Sequence, residues 1–95
     1  MAHKLVDIQV IGGNCPVQAE GVIDNQEFYF RARGEHWSIG IGGSDVVGRP
    51  DWFMQARWGK EKFDAGWMPE EEATRLINEA AEAYVKTVYG AETED

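Results

Sequence analysis

The side chains able to do covalent chemistry in this 95-residue chain are few: one cysteine, Cys15, and two histidines, His3 and His36. A thiol attacks as its thiolate and needs a base, a cation or a helix N-terminus beside it. Cys15 precedes Pro16 at the edge of a strand-like run and has none of these as a sequence neighbour. A buried or semi-buried structural cysteine is therefore the expectation, and catalysis is not. One Cys and two His with no paired spacing do not compose a zinc site. The acids likewise lack the alternate-residue pattern of a calcium loop.

Gly40-Ile41-Gly42-Gly43 is rich in glycine, but it follows a strand pattern and opens no helix, so tight turns account for it better than a phosphate cradle. A glycosidase-like pair of carboxylates would need a cleft between them, for which so short a chain has little room. No enzyme, no metal and no cofactor is expected.

Two regions have the composition of a binding surface. Residues Trp52–Trp67 crowd Trp52, Phe53, Trp58, Phe63 and Trp67 among Arg57, Lys60 and Lys62. That mixture suits a protein-interface hot spot, a nucleic-acid stacking platform, or simply the rings that close one end of a small core. The second region is acidic. Residues 1–63 hold eight acids and seven bases, whereas residues 64–95 hold nine acids and two bases, within a whole-chain charge of −8. Such a field repels nucleic acid and membrane surfaces and attracts basic patches on other proteins.

The elements that must position these groups follow from periodicity. Lys4–Ile11 alternates, with Val6, Ile8 and Val10 on one side, and Gly12-Gly13-Asn14 breaks it. Val17–Ile23 alternates again. Asp24-Asn25, two residues tolerant of positive φ, marks a tight hairpin into Gln26–Arg33. There Phe28, Phe30 and Ala32 face inward, and Glu27, Tyr29, Arg31 and Arg33 outward. After the turn at Gly34-Glu35, His36–Ile41 puts Trp37, Ile39 and Ile41 on the core side. Trp52–Trp58 reads as a fifth strand.

Pro69 and the acids Glu70, Glu71 and Glu72 signal the start of a helix. Its apolar stripe runs through Ala73, Leu76, Ile77, Ala80, Tyr84 and Val88, with Gly90 as its cap. Glu71, Glu72, Glu79 and Glu82 lie on the outward face with Arg75 and Lys86 among them. Glu71–Arg75 and Glu82–Lys86 are spaced as i,i+4 ion pairs. That spacing leaves Glu70, Glu72 and Glu79 as the acids free for a partner, and carboxylates four residues apart rise about 6 Å, within reach of basic groups that grip a nucleic-acid backbone. The expected architecture is α+β: an antiparallel meander of four to five strands with one C-terminal helix packed on one face. Residues 1–90 form one domain, and 91–95 an acidic tail.

Three strings, Asn14-Cys15-Pro16-Val17-Gln18-Ala19-Glu20-Gly21, Phe28-Tyr29-Phe30-Arg31-Ala32-Arg33-Gly34 and Asp64-Ala65-Gly66-Trp67-Met68, resemble those of small proteins encoded by phages and prophages of proteobacteria. The likeness spans most of residues 5–85 and carries no catalytic residues with it. Small acidic phage proteins of this type include anti-CRISPR inhibitors, several of which bind a type I surveillance complex and block its access to DNA. The resemblance implies a protein partner with a basic, nucleic-acid-binding surface, of the type I Cas kind, and no direct contact with nucleic acid or membrane.

The residues expected to meet that partner are Glu70, Glu71, Glu72, Glu79 and Glu82. Trp58 and Arg57 stand as the alternative surface, for a phage accessory or assembly protein. A lone cysteine and no apolar run long enough to span a bilayer fit the host cytoplasm. A monomer is favoured.

Overall fold

The computed structural model describes residues 5–89. Five strands, β1 (Val6–Gly12), β2 (Val17–Ile23), β3 (Gln26–Arg33), β4 (His36–Ile41) and β5 (Trp52–Arg57), form one antiparallel sheet in chain order. A 3-10 turn (Asp64–Trp67) then leads into helix α1 (Glu70–Tyr89). The helix lies against β1 and β2, while the 3-10 turn packs on β3. The fold is the expected two-layer α+β meander.

Strand alternation accounts for the core. Val17, Ala19 and Ile23 of β2, Phe28, Phe30 and Ala32 of β3, and Trp37, Ile39 and Ile41 of β4 are buried on the helix side. Phe30 and Trp37 stack with ring centroids 5.9 Å apart. The Asp24-Asn25 hairpin forms as its residue types dictate, with φ of 52° and 66°.

β1 departs from the simple pattern. Val10, expected beside Val6 and Ile8, is 63% exposed. The register steps from Ile8↔Gly21 to Val10↔Glu20, so Gln9 is an extra residue without a partner. That bulge reverses the faces beyond it: Val10 turns outward, and Ile11, opposite Ala19, takes the core side. Gly21 permits the bulge, because a Cβ there would run into the Asp7 carbonyl and the Phe28 ring.

In α1 the residues Ala73, Leu76, Ile77, Ala80, Ala81 and Tyr84 are buried, and Tyr84 meets Trp52 edge-on at 5.6 Å. The Pro69 carbonyl accepts from the Ala73 N–H at 3.0 Å, which makes Pro69 the capping residue and Glu70 the first helical one. Val88, expected in the stripe, is 52% exposed. The proposed cap Gly90 and the tail 91–95 lie outside the described residues. Among the described residues, no helix is long and apolar enough to cross a membrane.

Candidate functional site

The outward face of α1 carries the acidic groups. Arg75 organises two of them. Its Nη2 donates to Glu72 Oε1 at 2.7 Å and its Nη1 to Glu79 Oε2 at 2.6 Å. This corrects the expected arrangement: Arg75 is paired with Glu72 and Glu79 rather than Glu71, so two of the three acids read as free are held and only Glu70 is not. No ion pair joins Glu82 to Lys86 among the described residues, so that expected pair does not form either. Glu70, Glu71 and Glu82 are exposed and without a charged partner there. Glu71 and Glu82 are eleven residues apart, which places them within about 20° of one another around the helix and about 16 Å apart along it.

The Arg75 guanidinium, with a smaller contribution from Trp58, holds the Glu72 carboxyl below its usual range, and the two acids raise Arg75 in return. A carboxylate lowered in the folded state stabilises fully above its unfolded value, and that contribution fades as pH falls through the lowered one. Arg75→Gln is therefore expected to raise the Glu72 midpoint in a carboxyl-carbon NMR titration. It should also destabilise the fold slightly at neutral pH, with the difference closing in acid. An unchanged Glu72 midpoint would refute the pairing.

The Trp52–Trp67 region divides. Trp52 and Trp58 are half-buried against the core, as rings closing one end of it, whereas Phe63 and Trp67 are 66% and 63% exposed. Arg57 reaches Glu35 at 3.3 Å, and the Trp58 N–H donates to the Glu35 carbonyl. Trp58 is therefore mainly a packing residue, and the exposed rings beyond it are the accessible ones. Asp64 fastens the loop between them, accepting from the N–H groups of Lys60 and Glu61 at 2.9 and 2.8 Å. Those two donors lower its carboxyl, the Glu61 amide most.

Cys15 is exposed rather than semi-buried, with φ of 48°, and its N–H donates to the Gly66 carbonyl at 2.7 Å. His36 lies across the sheet between Arg33 and Arg57, and no hydrogen bond joins it to the thiol. Among the described residues, no group of three or more His, Cys, Asp or Glu converges as metal ligands would.

Sequence reading did not assemble one further cluster. Cross-strand register aligns Arg33, His36 and Arg57 in one row and Gln18, Arg31, Ser38 and Gln55 in the next, on the sheet face turned away from α1. The outward alternation of β3 was the available signal, but it places Arg31 and Arg33 on a face without aligning them with β4 and β5. No family model, curated protein or solved structure matches the chain.

Proposed function

We propose that this protein is an inhibitor of anti-CRISPR type that acts by contact rather than catalysis. As a monomer in the host bacterial cytoplasm, it lays the outward face of α1 on a basic, DNA-handling surface of a type I surveillance complex and so excludes DNA. One observation carries this reading: Glu71 and Glu82 project from the same side of a 20-residue helix, exposed and without a charged partner among the described residues, with Glu70 at its start. The helix is anchored by its buried stripe, so these charges are presented at fixed spacing to lysines and arginines that otherwise hold phosphates. Glu72 and Glu79 share the one positive charge of Arg75, which leaves a net −1 between them, so they contribute less than the sequence alone implied.

The test is capture of purified type I complexes by the immobilised protein at low and rising salt. Binding should weaken steeply with salt and fall by about a hundredfold on combined Glu71→Lys and Glu82→Lys reversal, since like charges facing each other cost several kcal/mol. No capture at low salt, or capture indifferent to the reversal, overturns the proposal. The exposed rings of Phe63 and Trp67 support a second reading, a phage accessory or assembly protein that docks through an aromatic patch. In that case capture is nearly independent of salt and is lost on Phe63→Ala or Trp67→Ala.

A further inference from the structure

We infer that the sheet face opposite α1 carries a cationic trough that takes the backbone of a single-stranded nucleic acid. This goes beyond the acidic-helix reading and uses the other layer of the molecule. The trough runs along β4, whose outward side chains His36, Ser38 and Gly40 shorten step by step to nothing. On one side β3 raises Arg33, Arg31 and Tyr29 beside them, and on the other β5 raises Arg57, Gln55 and Phe53. The two walls stand two strand spacings apart, about 9.6 Å. The loop after β4 closes one end: the Pro50 side chain and the Val46 carbonyl lie 2.8–2.9 Å from where a Cβ of Gly40 would sit.

Charge on this face is segregated. Among the described residues, Arg31 and Arg33 make no ion pair or hydrogen bond, and Arg57 is paired with Glu35. The acids of the face lie at the closed end and beyond it: Glu20 shares the Tyr29 row but on β2, outside the β3 wall, and Asp7 and Glu27 flank Val22 one row further on. The whole-chain charge of −8 does not decide the matter. The outward acids of α1 lie more than a helix diameter, about 10 Å, behind the sheet. That exceeds the screening length of about 8 Å at physiological salt, so the nearer guanidinium groups dominate the trough.

The side chains around the closed end favour a nucleic-acid strand over an acidic peptide. Tyr29 and Phe53 flank Gly40 on the two walls, and the Tyr29 hydroxyl accepts from Gln18 Nε2 at 2.8 Å, which fixes that ring. Two aromatic side chains beside a row of guanidinium groups offer stacking for bases and forked donors for phosphates together. An acidic peptide would use the second and leave the first idle.

Fluorescence polarisation of a short labelled oligothymidylate or oligouridylate at low salt tests the proposal, with polyglutamate as competitor. Saturable binding is expected, with a logarithmic salt slope of about −2 for three neutralised phosphates. Phe53→Ala should weaken it about tenfold, the size of one lost base stack. Combined Arg31→Gln and Arg33→Gln, which removes charge from exposed positions, should weaken it more. Arg31→Glu with Arg33→Glu gives the stronger version where that variant retains its thermal unfolding transition. Absence of oligonucleotide binding overturns the proposal, and so does binding indifferent to the arginine changes. Polyglutamate competing as well as the unlabelled strand also overturns it, in favour of an acidic protein segment. None of these outcomes depends on capture of a surveillance complex by α1.

Discussion

Gly21→Ala is expected to cost about 3 kcal/mol, the upper end of the range for forcing atoms into a packed region, and to loosen β1 before the rest of the sheet. A methyl group at Gly21 meets the Asp7 carbonyl, with the Gln9 nitrogen and the Phe28 ring each 3.0 Å away. Two of those three neighbours are backbone atoms of β1, so relief comes only by moving that strand out of register with β2. For a chain of this length, total stability is of the order of 5–14 kcal/mol, so the loss is a large share of it.

Urea unfolding should show a lower midpoint at an unchanged slope, and hydrogen exchange should show β1 amides losing protection first. Gly12→Ala supplies the comparison. It lies at the end of the facing strand β1, at an ordinary φ with nothing within 4 Å of its would-be Cβ, so it should be near neutral or mildly stabilising. If Gly21→Ala unfolds at the wild-type midpoint, the close approach is not what shapes the bulge.

The same glycine shows where the sequence could be read and where it could not. β2, β3 and β4 were legible because the aromatic and branched residues of one face alternate with small or polar residues on the other and are buried without exception, although the loop after β4 also covers Gly40. β1 was legible only as far as Ile8. A period of two has no means of announcing an inserted residue, although a glycine within the facing strand is the customary mark of one. On the helix, periodicity carried the stripe on to Val88, where burial gives out.

Side-chain partners were harder still. Arg75 can reach Glu71, Glu72 or Glu79 by spacing alone, and the choice of the last two reflects the fixed surroundings, Trp58 beside Glu72 among them. The cationic trough required the register of three strands at once, which depends on turn geometry rather than on the pattern of any one strand.

Ile77→Ala is expected to destabilise the domain by about 2–5 kcal/mol, the usual range for emptying a buried aliphatic site. Ile77 is fully buried in the middle of the α1 stripe, among residues that hold the helix on the sheet. At about 4–8 °C per kcal/mol for a domain of this size, the melting temperature should fall by about 8 °C or more. Val88→Asp, four residues beyond Tyr84 on an exposed position, should shift it by no more than about 4 °C.

The contrast matters for function, because the acidic surface has meaning only while α1 is seated. Under the proposed function, a truncated Ile77 weakens partner binding without touching any charge. Glu71→Lys with Glu82→Lys, on the solvent side, should leave the melting temperature nearly unchanged while weakening the proposed binding about a hundredfold. If Ile77→Ala proves as mild as Val88→Asp, the helix is not held by its stripe, and the fixed spacing of Glu71 and Glu82 loses its physical basis.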